Sequence, residues 1–305
     1  MHVFITGVSG YIGGAVAERL VTGGHRVSGL IRSPERAEAL RKRGVEPVLG
    51  RLCDLTVIGN AARGADAVVN AASAEDSPSA LTLVEALKDS GKPLLHTSGT
   101  SVVADRAIGE YGAIVYTESM PLSTLPERLL RVAVENLILD AAGRGVRSVV
   151  IRPSLIYGRG PGLNPHSHQL PRLVQLASER GRPAHVGRGL NIWSNVHIDD
   201  VADLYVRAIT EAPPGSVFFA ENGEASWKDM AVAIGKTLEM CGETEALSLE
   251  ESLSILGIGA VTSFGSNSRV SAEKARRMLG WSPTGPSIWE DLKTDYYRTP
   301  FNGSH

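Results

Sequence analysis

Short apolar runs alternate with stretches of helical periodicity through the first 155 residues of this 305-residue chain. The apolar runs predict strands at residues 3–6, 26–31, 46–49, 67–71, 94–97 and 147–151. Apolar residues at helical spacing predict helices between them, at residues 13–22, 34–43, 57–63, 80–90 and 126–142. Strands that alternate with helices in this way predict a doubly wound, mostly parallel α/β sheet. Such a sheet binds ligands in a crevice at the carboxyl ends of its strands.

The pattern changes beyond residue 157. Residues 159–168 are rich in Gly, Pro and His and predict a loop, which is followed by a helix at 171–180 and a strand at 193–198. Asp199 or Asp200 is the expected N-cap of a helix that runs to Thr210, and the next strand is expected at 217–220. We therefore expect residues 1–160, with 191–212, to form the sheet domain. Residues 161–190 and 213–305 are expected to form a smaller α/β substrate lobe.

Composition and charge exclude several classes of protein. A net charge of −2 gives no general attraction for nucleic acid or for an anionic membrane. The two cysteines, Cys53 and Cys241, imply no disulfide framework. No apolar run approaches the roughly 20 residues that span a bilayer, and the first residues do not resemble a secretion signal. These features predict a cytoplasmic protein whose partner is a small-molecule substrate.

Glycines recur every third residue directly after the first predicted strand, in the run TGVSGYIG at residues 6–13. Glycine is needed where the chain turns sharply and where backbone must approach a pyrophosphate without an intervening Cβ. The helix that follows offers free N–H groups and the positive end of its dipole to the phosphates. The turn therefore predicts a dinucleotide site with contacts from Gly7, Ser9, Gly10, Tyr11, Ile12 and Gly13.

The end of the second strand indicates which dinucleotide is bound. An acidic residue there would bind the ribose 2′-hydroxyl, whereas an arginine accommodates a 2′-phosphate. This chain has Arg32 and Ser33 at that position, and its first acidic residue is Glu35. The guanidinium fork of Arg32 and the hydroxyl of Ser33 both suit a phosphate. The sequence therefore predicts NADP rather than NAD as the cofactor.

Five further segments follow in a characteristic order: GRLCD at 50–54, VNAAS at 69–73, RPSLIYG at 152–158, VHIDDVA at 196–202 and LGW at 279–281. With the glycine spacing, they resemble the extended short-chain dehydrogenase/reductase family over nearly the whole chain. The resemblance implies a Rossmann fold with a smaller substrate lobe, and it leaves a homodimer open. Arg51 replaces the first acidic residue of the family's GDLxD segment. The resemblance also implies cofactor contacts from Leu52, Ala71, Ala72, Ser73, Thr97, Arg131, Pro153 and Leu155.

The reaction centre departs from the pattern of that family, which has a Ser or Thr and then Tyr-x-x-x-Lys on a long helix, with a Glu four residues after the lysine. Taking Glu135 as that Glu puts Arg131 at the lysine position and Glu127 at the tyrosine position. Arg131 can hold the nicotinamide ribose but cannot give up a proton. Glu127 can act as an acid or base only if desolvation raises its pKa. The alternative is an ordinary ion pair between the two on the helix surface.

Hydroxyl and phenol groups offer other proton donors. Thr100 is the predicted partner of the substrate carbonyl, with Ser98 as the alternative, although both side chains can equally satisfy the end of a strand. Tyr157 lies in the segment expected beside the nicotinamide and is a further candidate, with a structural role as its alternative. Tyr111 and Tyr116 lie in the loop after the fifth strand and can also be considered.

Charged side chains of the second half suggest no metal site, because His166 and His168 lack an evident third ligand. Arg159, Arg182 and Arg188 are candidates for holding an anionic substrate.

Three functions remain open at this point. The first is an NADP-dependent oxidoreductase with a non-standard catalytic site that acts on a carbonyl or hydroxyl. The second is a catalytically silent NADP-binding regulator. The third is a nucleotide-sugar epimerase or dehydratase, which rests on fold analogy alone.

Overall fold

The computed structural model describes residues 1–240, 242–298 and 301, so Cys241 lies outside the described residues. Strands and helices alternate through the first half of the chain, joined by short 3₁₀ turns at Thr100–Val103, Pro126–Arg128 and Ala141–Arg144. In chain order these elements are β1 (His2–Thr6), α1 (Tyr11–Thr22), β2 (Arg26–Ile31), α2 (Pro34–Arg41), β3 (Val45–Leu49), α3 (Leu55–Gly64), β4 (Ala67–Asn70), α4 (Ser77–Leu87), β5 (Pro93–Thr97), α5 (Leu129–Asp140) and β6 (Arg147–Pro153).

Shorter elements make up the second half. They are β7 (Leu155–Tyr157), α6 (Gln169–Arg180), β8 (Ala184–Val186), β9 (Ile192–His197), α7 (Ile198–Glu211), β10 (Ser216–Ala220), β11 (Glu224–Ser226), α8 (Trp227–Thr237), β12 (Glu245–Leu247), α9 (Leu249–Leu256), α10 (Glu273–Leu279) and α11 (Ile288–Asp291). A π-helical turn at Ala260–Phe264 lies between α9 and α10. Such turns are rare in proteins, and those that occur are often found at functional sites.

A seven-stranded sheet in the order β10-β6-β5-β4-β1-β2-β3 forms the centre of the molecule. All of its pairings are parallel, as in Val3 opposite Val27 on one side of β1 and Ala67 on the other. The predicted doubly wound α/β fold is therefore confirmed. The strand order reverses between β1 and β4, and a sheet of this kind binds its ligand at that reversal.

The expected domain boundary at residue 213 would place β10 in the smaller lobe, and the pairing of this strand corrects it. This strand pairs in parallel with β6 at the edge of the central sheet, with Val217 opposite Val150. Its Phe218 and Phe219 are fully buried, so leaving the sheet would expose two aromatic rings. Residues near the end of the chain, such as Leu279 and Trp281, also pack into the core of the sheet domain.

The segment 191–212 is divided between two environments. Strand β9 does not join the central sheet but lies between β11 and β7 in a sheet of its own, whereas α7 packs against α1. The N-cap of α7 is His197, whose ring accepts a hydrogen bond from the backbone of Asp199, rather than either expected aspartate. Both aspartates lie in the first turn of the helix instead.

The smaller lobe has a core of its own. Trp193, Trp227 and Phe264 pack together there, with the Trp227 and Phe264 ring centroids 4.9 Å apart. Strands β12 and β8 form a two-stranded parallel sheet at its edge. The lobe lies beyond the carboxyl ends of β5 and β6, where it walls the ligand crevice.

Candidate active site

The glycine turn between β1 and α1 leaves no space for larger side chains. Gly7 has a φ of +74°, and a Cβ built on it would lie 2.5 Å from the carbonyl oxygen of Ala71. A Cβ on Gly13 would lie 2.3 Å from the carbonyl oxygen of Gly7. No side chain caps the start of α1 at Gly10, so the first N–H groups of the helix remain available to a ligand. This turn fits the pyrophosphate of a dinucleotide.

A groove of about 900 Å³ extends from this turn across the ends of β2 and β3. Three arginines line it: Arg32, Arg36 and Arg51. None of the three forms an ion pair with a carboxylate among the residues that the structure describes. The groove therefore presents a cluster of cationic groups beside the turn that suits a pyrophosphate.

Two of these arginines add to what the sequence predicted. Arg36 lies in the first turn of α2, four residues after Arg32, and this helical spacing was the available signal. Arg51 was visible only as a departure from the family segment. Ser33, the other residue predicted at this strand end, also lines the groove; its hydroxyl donates to Glu35 at 2.5 Å and accepts from the backbone N–H of Arg36 as the N-cap of α2. Its hydrogen bonds are thus used locally.

A second cavity of about 710 Å³, called the cleft below, lies between the carboxyl ends of β5 and β6 and the smaller lobe. Buried hydroxyl groups that have no hydrogen-bond partner among the described residues, those of Ser98 and Thr100, lie in its lining. A buried hydroxyl without a partner is costly unless a ligand satisfies it. The segment directly after β5, which leads into the 3₁₀ turn at Thr100–Val103, therefore places two unused donors in the cleft.

The predicted cofactor contacts divide into three sets. Those that line the groove are Gly7, Ser9, Gly10, Arg32, Ser33, Leu52, Ala71 and Ala72. Those that line the cleft are Tyr11, Ile12, Ala71, Arg131 and Pro153. Those that line neither cavity are Gly13, Ser73, Thr97 and Leu155.

The four residues of the third set make other contacts in the structure. The hydroxyl of Thr97 accepts a hydrogen bond from Tyr205 at 2.7 Å inside the protein, and Leu155 is fully buried in the core of the smaller lobe. Gly13 is packed against the glycine turn, and the Ser73 hydroxyl accepts from the backbone of Glu75.

Arg131 reaches the cleft from α5. Its guanidinium donates to the Ser101 hydroxyl at 3.0 Å and to a carboxylate oxygen of Glu75 at 3.0 Å. The register deduced from Glu135 therefore placed this residue correctly in the site, although its ion-pair partner is Glu75 rather than Glu127.

Glu127 is a wrong prediction as a catalytic group. It lies in the 3₁₀ turn before α5, and its carboxylate accepts from Arg106 at 2.5 Å instead of lining the cleft. A hydrogen bond with its own backbone and the Arg106 ion pair both lower the pKa of the Glu127 carboxyl. It is therefore ionised near neutrality, which is the opposite of what a general acid needs. The neighbouring Arg128, which the sequence did not single out, lines the cleft instead.

The prediction of Tyr157 as a proton donor is also corrected. The ring is fully buried, and its hydroxyl donates to the carbonyl oxygen of Pro286 at 2.8 Å. Burial raises the pKa of the Tyr157 phenol well above its ordinary value. With its donor used and its ring outside the cleft lining, Tyr157 ties β7 to the segment before α11.

The remaining candidates lie in different places. Tyr111 is exposed, and its hydroxyl accepts from Arg269 at 3.1 Å. Tyr116 lies outside the cleft lining, in an isolated bridge with Val270. His166 and His168 do line the cleft, and His166 Nδ1 is 2.9 Å from the Tyr296 hydroxyl. The arginines that we had considered for an anionic substrate, Arg159, Arg182 and Arg188, do not line it.

With this geometry in view, the chain was compared with known proteins. A profile described as the NAD dependent epimerase/dehydratase family matches residues 3–219, which is more than half of the chain. The chain belongs to this family. The resemblance to the extended short-chain dehydrogenases and reductases is thereby confirmed, and the family binds a nicotinamide cofactor.

Relatives in this family include named oxidoreductases. The oxidase ucsJ of Acremonium sp is 32% identical over 332 residues, which cover 95% of each chain. A 2-alkyl-3-oxoalkanoate reductase of Stenotrophomonas maltophilia is 30% identical over 248 residues, 73% of this chain and 71% of the relative. The dTDP-glucose 4,6-dehydratase of Bacillus anthracis, solved with NAD, superposes with a TM-score of 0.77 at 18% identity, over 96% of this chain and 94% of the other. At that identity the superposition shows the fold.

No described helix is both long and apolar enough to cross a bilayer. Within the same residues, no three His, Cys, Asp or Glu side chains come together in an arrangement that could hold a metal ion.

Proposed function

We propose that this protein is an NADP-dependent oxidoreductase that interconverts a carbonyl and a hydroxyl group on a small organic substrate. The observation that carries the proposal is the pair of unpartnered buried hydroxyls, Ser98 and Thr100, in a cleft that also contains the guanidinium of Arg131. The oxoalkanoate reductase among the relatives is named for reduction of an oxo group, which is the same kind of chemistry.

The cofactor fits the two cavities in one direction. The pyrophosphate would lie on the amides at the start of α1, and the adenosine half in the groove beside it. Arg32, Arg36 and Arg51 would surround the 2′-phosphate there, which supports NADP over NAD. The other half would enter the cleft past Tyr11 and Ile12, which line it. When bound, the nicotinamide supplies or accepts the hydride.

The residues of the chain then act on the substrate oxygen. The Thr100 Oγ1 hydroxyl, with Ser98 beside it, would donate a hydrogen bond to the carbonyl oxygen and polarise it. Arg131 would add positive charge as negative charge develops on that oxygen, because its guanidinium stays protonated. Neither Glu127 nor Tyr157 lines the cleft, so the proton that completes the alcohol would come from water or from a histidine of the lining, His166 or His168.

A catalytically silent NADP-binding regulator is the second candidate. It is favoured by the positions of Glu127 and Tyr157, which do not line the cleft. The phenol of Tyr11 does line it, but its hydroxyl donates to the carbonyl oxygen of Gly158 at 2.7 Å. It predicts tight cofactor binding and no turnover.

Cofactor binding tests the first half of the proposal. NADPH and NADH are titrated while dihydronicotinamide fluorescence is followed. We expect Arg32→Ala to weaken NADPH binding by about tenfold, the scale of a hydrogen bond to a charged group, and to leave NADH binding nearly unchanged. Arg41→Ala is the matched control, because Arg41 lies at the end of the nearby helix α2, outside the groove and paired with Glu38. Equal loss for both coenzymes would contradict the assignment to the 2′-phosphate.

Turnover tests the second half. A panel of aldehydes, ketones and alcohols is assayed with NADPH or NADP. Thr100→Val should lower kcat by about a hundredfold, as loss of a donor to a developing oxyanion does, with the NADPH affinity unchanged. Thr210→Val, at an exposed position of α7, is the control. If no compound turns over although NADPH binds, the regulator is the better account.

A further inference from the structure

Of the two arginines that line the cleft, one has no carboxylate partner among the described residues. Arg128 and Arg131 both line the cleft, and no Asp or Glu does so among the described residues. The charge of Arg131 is matched by Glu75, and Glu127 is matched by Arg106. Within the described part of the chain, Arg128 therefore has no carboxylate within ion-pair distance.

The hydrogen bonding of Arg128 is incomplete as well. Its Nη2 donates to the Thr262 hydroxyl at 3.0 Å, while its buried Nε has no acceptor in the described structure. Thr262 belongs to the π-helical turn, and its own hydroxyl donates to the carbonyl of Ile258. One side of the guanidinium is thus fixed by the smaller lobe. The other donors remain for a ligand.

The charges around Arg128 favour an anionic ligand. Burial and the neighbouring charge of Arg131 lower the pKa of Arg128, and the more weakly acting carboxylates of Glu75 and Glu127 oppose this shift. A planar guanidinium offers two parallel N–H donors, which match the two oxygens of a carboxylate. A carboxylate here would both satisfy buried donors and relieve the repulsion between the two arginines.

We propose that Arg128, held by Thr262, binds a carboxylate of the substrate, so that the protein acts on oxo acids or hydroxy acids. The inference rests on the proposed oxidoreductase function, because it takes Thr100 as the group that holds the reacting oxygen. Apolar side chains of the smaller lobe, among them Trp193, Ile258 and Phe264, line the same cleft and take the carbon chain between the two polar ends.

The test compares oxo acids with their methyl esters, which share a carbonyl and differ in charge. Wild-type protein should prefer each acid, and Arg128→Gln should lower kcat/KM for the acid by roughly 10- to 100-fold, the scale of charged hydrogen bonds. The ester should change by less than about twofold within the same variant. Arg128→Lys should recover part of the loss, because it restores the charge without the fork.

Two matched variants guard against a merely structural effect. Arg182→Gln removes an exposed arginine of the smaller lobe outside the cleft and should leave the acid-to-ester ratio unchanged. Thr262→Val removes the hydroxyl that orients Arg128 and should lower the same ratio even if Arg128→Gln does not fold. Phosphate monoesters of matched length provide another arm. Preference for a phosphate over the carboxylate would overturn the proposal as stated.

The measurements distinguish failure of this inference from failure of the proposed oxidoreductase function. If esters and acids turn over equally well in the wild type, the anion site is wrong while the oxidoreductase stands. If nothing turns over, binding of an oxo acid to the NADPH complex is measured by fluorescence quenching. If an oxo acid quenches the fluorescence and Arg128→Gln weakens that quenching, the anion site is supported in a silent protein. If the oxo acid causes no quenching, the anion site is refuted.

Discussion

His96 provides a sharp test of the buried polar network beneath the site. It lies on β5, two residues before the cleft hydroxyl of Ser98, and is completely buried. Its Nδ1 is 3.1 Å from the amide nitrogen of Asn70, whose oxygen accepts from the Thr6 hydroxyl at 2.6 Å. Burial lowers the pKa of His96 from 6.5 to about 4. The ring is therefore neutral in the folded protein at pH values where it is protonated in the unfolded chain.

The sign and size of the effect follow from this lowered pKa. Because the unfolded chain binds the proton first, stability is complete above the unfolded pKa of 6.5 and is lost as the pH falls towards the folded pKa of about 4. One pKa unit corresponds to about 1.4 kcal/mol, so the full loss is about 3 kcal/mol. Between about pH 7.5 and about pH 5 we expect His96 to remove about 2 kcal/mol of the free energy of unfolding.

Urea unfolding at a series of pH values measures this loss. His96→Asn should lower stability at neutral pH, since Asn70 loses its partner, but should flatten the dependence on pH between these limits. His185→Gln is the control, because burial also lowers the pKa of His185. This variant measures the smaller contribution of His185 to the pH dependence of stability, so that the contribution of His96 can be determined separately. An unchanged slope in His96→Asn, or an imidazole NMR titration of His96 near pH 6.5, would refute the reasoning.

Three other substitutions test the site and its support. Gly7→Ala, at a φ of +74°, should cost at least about 1–3 kcal/mol of stability and abolish NADPH binding in a fluorescence titration. Glu135→Gln leaves Arg152 buried without its charged partner at 2.5 Å, and chemical denaturation should show a loss of about 3–5 kcal/mol. Tyr157→Phe should cost about 1 kcal/mol, the hydrogen bond to Pro286, and leave kcat within about twofold. A large fall in kcat for Tyr157→Phe with unchanged stability would return that phenol to the reaction.

The parts of the fold that the sequence predicted are those that local physics determines. Apolar runs and helical spacing found the parallel strands because each element is buried along most of its own length. The glycine turn was recognisable because the backbone at Gly7 has no room for a side chain. Strand β10 was found as a strand but assigned to the wrong lobe. Its place beside β6 depends on pairing across more than sixty residues, which no local pattern contains.

The errors at the site have the same origin. Tyr157 is removed from the reaction by a carbonyl 129 residues away, that of Pro286. The guanidinium of Arg128 is oriented by Thr262, which is 134 residues distant. Neither partner has a sequence feature that marks it, so the residue types alone gave candidates and not roles.

The register of α5 shows why one substitution was placed correctly and the other was not. Helical spacing would put Glu127 and Arg131, four residues apart, on one face. The α-helix begins only at Leu129, however, and the preceding 3₁₀ turn brings Arg128 into the cleft, three residues before Arg131. At the position of the family tyrosine this chain has Glu127, which pairs with Arg106, and the next residue, Arg128, lines the cleft instead. In the proposed reaction these guanidiniums and hydroxyls would hold and stabilise charge on the substrate and its developing oxyanion, and the proton would come from water or from a histidine of the cleft lining, His166 or His168.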